Sequence, residues 1–267
     1  MLWCDLVQGE GDTQLLVTQG RFEGIKVFRS GGDNTEWQEE ASFNIPHTGF
    51  CRGYIERSDG AGDTVMVAPS GQSGLLVSKL VLPHIRHIVT LEREGSGSVM
   101  SVCPGPASSP GRLMAGYEAG EAVLWDWSNN LALREISLAL HLGTLMALTW
   151  DWNRGRVVAV GSEARLVVVD SEAMEVTRVR EVTNPGLGAV KLRGDGRLLV
   201  TGGWDARLRL FSWTNPDKCK PLAVLKFHSE SVEALLCCDK MEEGRLAGRN
   251  LIVAGGKDGK ISFWDIY

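Results

Sequence analysis

Residues 251–265 read LIVAGGKDGKISFWD, and this stretch decides the fold class. Leu251-Ile252-Val253 is a continuous apolar run, the pattern of a strand covered on both faces. Gly255-Gly256 keeps side-chain volume low where a neighbouring layer packs, and Asp258-Gly259 supplies a tight hairpin turn. The run then alternates. Ile261 and Phe263 share one face of a second strand, Ser262 and Trp264 the other. A hairpin of this size cannot bury its own apolar faces, so it predicts stacking against further copies of itself.

Those copies are present. Leu15–Phe28, Val65–Ser78, Leu113–Asp126, Val157–Asp170 and Leu198–Ser212 repeat the order apolar strand, small-residue turn, apolar strand, with starts 41 to 53 residues apart. That period fits the roughly 40–45 residues of a four-stranded propeller blade with insertions. Further strands are predicted between copies, for example over Leu222–Phe227 and Ser231–Cys237, and no segment sustains a helical period. The fold class is therefore all-β, a β-propeller in one domain. Its blade units fall at about 1–40, 41–92, 93–140, 141–182, 183–228 and 229–267.

Composition narrows the function classes. The formal net charge is −5 and no Lys/Arg-rich run occurs, so the footprint of direct nucleic-acid binding is missing. Apolar stretches are strand-sized, well short of the roughly 20 residues of a spanning helix, and the first residues do not read as a secretory signal. The cysteines at 4, 51, 103, 219, 237 and 238 contain no CxxC pair, so reduced structural thiols are expected rather than a disulfide frame. His84 and His87 form a lone His-x-x-His with no supporting ligands, and no metal or other cofactor is expected. Gly255–Lys260 lacks the GxxxxGK[ST] of a phosphate loop and is followed by another strand. Gly71-Gln72-Ser73-Gly74 reads as a hairpin turn rather than a nucleophile elbow, and no catalytic constellation is visible.

The repeats resemble the WD40 family, most clearly where Phe227-His228 stands for its Gly-His and Trp264-Asp265 for its Trp-Asp. The resemblance implies a hydrogen-bonded tetrad of His, turn Asp, strand Ser/Thr and Trp that pins each blade. By position His228, Asp258 and Trp264 match, with Ala254 at the Ser/Thr place. The preceding copy keeps Thr201 and Asp205, has Phe211 for Trp and lacks the His; Leu113–Asp126 keeps Trp125 but has Ala119 at the turn. The stretches 115–126, 183–213, 221–237 and 254–267 further resemble a G-protein-β-like branch of that family with ASTRA-associated fungal members.

That branch implies a scaffold without enzymatic activity, whose partners are the TTT co-chaperone complex and its client kinases related to phosphatidylinositol 3-kinase. It also implies links to DNA-damage signalling and a cytoplasmic and nuclear location, while the lack of an N-terminal heptad helix leads us to expect no G-protein γ subunit. A reader of modified peptides, or a chromatin-associated adaptor, is the alternative. The strand count yields six three-strand units but five outer strands, so six recognisable blades of a seven-bladed design are expected, with an open edge at 260–267. Two Trp-Asp-Trp triplets, 125–127 and 150–152, complete the candidates. Trp125 is expected to be structural, and Trp150 and Trp152 to anchor a partner.

Overall fold

Wherever the sequence alternates or runs apolar over five to eight residues, the chain forms a strand. A computed structural model describes residues 3–8, 13–31, 36–47, 49–57, 64–106, 109, 111–126, 134–140, 143–238 and 249–266. The first blade comprises β1 (Trp3–Gln8), β2 (Gln14–Gly20), β3 (Gly24–Ser30) and β4 (Trp37–Phe43), paired in that order. The second has β5 (Tyr54–Arg57), β6 (Thr64–Ser70), β7 (Gly74–Val81) and β8 (His84–Leu91). The third has β9 (Val99–Pro104), β10 (Arg112–Tyr117), β11 (Glu121–Asp126) and β12 (Arg134–Ala139). The fourth has β13 (Leu145–Asp151), β14 (Arg156–Gly161), β15 (Arg165–Asp170) and β16 (Glu175–Glu181). The fifth has β17 (Leu187–Leu192), β18 (Leu198–Gly203), β19 (Arg207–Ser212) and β20 (Lys220–Lys226). The sixth has three strands among the described residues, β21 (Val232–Cys238), β22 (Leu251–Gly256) and β23 (Ile261–Asp265).

The six sequence copies are β2–β3, β6–β7, β10–β11, β14–β15, β18–β19 and β22–β23, the middle hairpins of the blades. The architecture is all-β with six propeller blades, and β23 is an edge strand among the described residues. No described helix is long and apolar enough to cross a membrane. The strands group into two compact units, Met1–Leu113 with Trp125–Arg134 and Met114–Leu124 with Glu135–Tyr267.

Within the first unit, Val17, Ile25 and Val27 of the first blade pack on Met66 and Ala68 of the second. A polar staple joins the same blades. The Gln19 amide donates to the Cys51 carbonyl at 3.1 Å and accepts from the Gly53 N–H at 2.7 Å. Within the second unit, Val158, Val160, Leu166 and Val168 meet Leu187, Leu199 and Phe211. Val200, Leu208 and Leu210 likewise meet Val232, Ile252 and Ala254. Burying such side chains stabilises by about 1.5–3 kcal/mol each, so blade-on-blade packing dominates the fold.

Polar links in the second unit occupy equivalent places with opposite polarity. Asp151, at the end of β13, accepts from the Trp213 indole N–H at 2.7 Å. Arg193, just after β17, donates instead to the Ile266 carbonyl at 2.8 Å. A first strand thus grips the residue that follows the third strand of the next blade.

Candidate functional site

The β22–β23 turn and the segment before β21 assemble the side chains the WD40 pattern singles out. His228 Nδ1 lies 3.1 Å from Asp258 Oδ1, and its Nε2 lies 3.0 Å from the Ser262 hydroxyl. The Trp264 indole N–H donates to that same hydroxyl at 2.9 Å. The Ser229 N–H chiefly holds the Asp258 carboxyl down to about 2; burial opposes, and His228 and the Lys260 N–H add to the lowering. An ionised Asp258 assigns the proton to His228 Nδ1, leaving Nε2 to accept from Ser262. Gly256 is required here, because a Cβ would stand 2.5 Å from His228 Nδ1 and 2.6 Å from Asp258 Oδ1.

The structure corrects one sequence expectation. The hydroxyl of the tetrad comes from Ser262, and Ala254 does not leave its place unfilled. Ala254 and Ser262 are direct register partners across β22 and β23, so the hydroxyl has crossed to the neighbouring strand. Alternation had put Ser262 and Trp264 on one face, yet the cross-strand register that makes Ser262 a substitute was not legible. Trp264 is partly buried, packs against the core shared by the fifth and sixth blades, and meets the half-exposed Phe227 edge-on.

Asp258, His228 and Ser262 also have the connectivity of a hydrolase relay. Ser262 is 5% exposed, however, and its oxygen already accepts from Trp264. The group is sealed from solvent and one of the hydroxyl's two lone pairs is taken by Trp264, so the arrangement serves as a pin. Burial pushes the Cys51 thiol up to about 12 and Cys219 to about 11, which removes these two as thiolate nucleophiles.

The fifth blade solves the same problem with a different group. Arg209 faces Thr201 across β18 and β19, in the register place of Ser262, and forks onto Asp205 at 3.0 and 2.6 Å. Burial disfavours the Asp205 charge, and the Arg209 fork more than offsets it, leaving the carboxyl below its ordinary value. Thr201 is buried and its hydroxyl has no hydrogen-bond partner among the described residues, so it takes no part in a relay there. Sequence reading missed Arg209. Its signal was an Arg two residues before Phe211 on the face of Thr201 and four residues after the turn Asp205.

Trp125 is 2% exposed, and its indole nitrogen has no hydrogen-bond partner among the described residues, so no tetrad is seen around it there. The 150–152 triplet divides. Trp150 is 8% exposed and packed in β13, which removes it from any accessible docking face, whereas Trp152 is 48% exposed. Its central residue, Asp151, carries the structural link to Trp213. Trp127 lies outside the described residues. His84 and His87 are exposed at the start of β8, and among the described residues no group of three or more His, Cys, Asp or Glu converges as a metal site. Trp204, in the 183–213 stretch that carries the family resemblance, was not read as a partner anchor. Its indole lies on Gly186, which has φ +82°, and it remains 45% exposed.

These features agree with comparisons to known proteins. The family model "WD domain, G-beta repeat" matches residues 179–212 and 219–265, the blades holding the Arg209 and His228 pins. The chain is 33% identical to the guanine nucleotide-binding protein subunit beta-like protein 1 of Mus musculus, over 85% of this chain and 67% of that one. It is 28% identical to ASTRA-associated protein 1 of Schizosaccharomyces japonicus, over 65% of this chain and 49% of that one. It thus spans between about half and two thirds of these relatives' lengths. The crystal structure of Saccharomyces cerevisiae Sqt1 superposes with a TM-score of 0.76 at 12% identity, covering 99% of this chain and 71% of Sqt1, which shows the fold. With its blade hairpins, its altered pins and this kinship, the chain belongs to the WD40 family, in the group of the guanine nucleotide-binding protein subunit beta-like protein 1.

Proposed function

We propose that this WD40 scaffold works with the TTT co-chaperone complex in maturing and stabilising kinases related to phosphatidylinositol 3-kinase. The proposal places it in the cytoplasm and nucleus and links it to DNA-damage signalling. The observation that carries this reading is kinship with fungal proteins named for association with ASTRA, over 65% of this chain in the Schizosaccharomyces japonicus relative. Two local facts support a non-catalytic role. The Ser262–His228–Asp258 relay is sealed, and the Asp205–Arg209 pair is spent on holding a turn. What remains accessible is surface: half-exposed aromatic rings at Trp152, Trp204 and Phe227, of the kind that anchor protein partners.

Affinity purification of the tagged chain followed by mass spectrometry tests the reading. Recovery of TTT components and their client kinases is the expected outcome. Recovery of chromatin proteins or modified peptides in their place overturns it in favour of a peptide reader.

A further inference from the structure

A groove of about 620 Å³ lies between the outer strands of the fourth and fifth blades, within the second unit. Its walls include Val182 beside β16, Phe211 of β19, and Leu222 and Val224 of β20. Leu222 is 55% and Val224 51% exposed on β20, which, like β16, is the last strand of its sheet among the described residues and presents one backbone edge outward. Such an edge accepts an extended segment, with apolar side chains entering the groove.

The charge around the groove says what that segment carries. Arg180 closes one end by donating to the carbonyls of Lys218 and Cys219 at 2.7 and 3.2 Å. Arg178 lies two residues earlier on the same face of β16, and its Nε is buried without a hydrogen-bond partner among the described residues. Lys218 and Lys220 are exposed beside it. Glu181 is the one carboxylate in the lining, and Arg209, also in the lining, is already committed to Asp205. Arg178, Lys218 and Lys220 therefore border the groove without lining it, with the exposed Asp217 beside Lys218, in a chain whose net charge is −5.

We propose that the β16–β20 groove docks an extended segment of a partner protein with Leu-, Val- or Phe-type side chains flanked by Asp or Glu. The apolar side chains pack on the exposed Leu222 and Val224, while the flanking carboxylates meet Arg178 and Lys220, which border the lining. This deepens the scaffold reading by giving it a site and a partner chemistry, and it rests on that reading.

The test pans a random peptide phage library against the intact chain, in parallel with Arg178→Glu/Leu222→Asp and with Lys220→Glu alone. Lys220 is exposed, so the single variant keeps the test valid if the double one misfolds. Peptides selected by the parent and lost on a variant are expected to pair apolar residues with Asp/Glu. Their affinity is expected to fall about tenfold on Lys220→Glu and to weaken with salt. If no selected peptide depends on these residues, or the dependent ones are basic, the inference is overturned. The TTT purification repeated with Lys220→Glu separates the two readings. Unchanged recovery despite the variant removes the groove and keeps the scaffold role. Groove-dependent peptides without TTT recovery keep the groove and remove the co-chaperone role.

Discussion

Ser262 and Ala254 show how a pin survives the loss of its usual hydroxyl. Because the two residues are register partners, an oxygen on either strand reaches the space between His228 and Trp264. Ser262→Ala leaves the Trp264 N–H without its acceptor and His228 Nε2 without its donor. The expected loss is about 1–3 kcal/mol in urea unfolding. Adding Ala254→Ser is expected to restore about 1 kcal/mol of it, because the deleted oxygen leaves room for the new one. A double variant no more stable than Ser262→Ala would show that the hydroxyl is not interchangeable between strands. In the fifth blade the stakes are electrostatic. Asp205→Ala strands Arg209, whose side chain is 6% exposed, as an uncompensated buried cation. A loss of about 3–5 kcal/mol is expected, clearly above that of Ser262→Ala. Equal losses in the two melts would count against Arg209 as the fifth blade's pin.

At the scale of elements, the six middle hairpins were legible because their signals are local: a run of apolar residues, a small-residue turn, an alternating strand. The pins were not. Arg209 replaces a His that lies on another segment in the last blade, and nothing local says that a strand Arg will turn inward onto Asp205. The 150–152 triplet makes the same point. Periodicity favoured its two aromatic rings, but the residue that ties elements together is Asp151, through a partner 62 positions away. Such pairs depend on how blades meet, which no single strand encodes. The tie itself is testable. Trp213→Phe keeps most of the buried ring and deletes the N–H, while Arg154 still pairs with Asp151 at 2.9 Å. A loss of about 1–2 kcal/mol is therefore expected, against about 3–5 kcal/mol for Trp213→Ala, which adds a cavity to the lost bond. Equal losses would mean that the hydrogen bond contributes most of the link and the ring little.

At the scale of the molecule, the titrating groups divide between the two compact units and set two acid windows. In the first unit, burial chiefly lowers His47 below its ordinary 6.5, against a hydrogen bond to the Gly71 carbonyl. Between the folded and unfolded values the unfolded chain binds more protons, so this unit loses stability as pH falls from about 6.5. Glu56, raised by burial in the same unit, has the opposite sign and favours the folded state as acid protonates it. In the second unit Asp170, Asp195, Asp205 and Asp258 are all held below 3.8, Asp258 at about 2. Their contribution is fully present above the unfolded value and disappears as pH falls from about 4 towards 2. Hydrogen exchange corrected for intrinsic rates is expected to show residues 43–47, 49–53 and 64–78 losing protection first, as pH falls below about 6.5. The amides of 201–212 and 251–262 should hold until below pH 4. Asp258→Asn should flatten the lower window around β22 and β23 and leave the upper one unchanged. Loss of protection in the opposite order, or one transition shared by both units, would refute this assignment of the two windows.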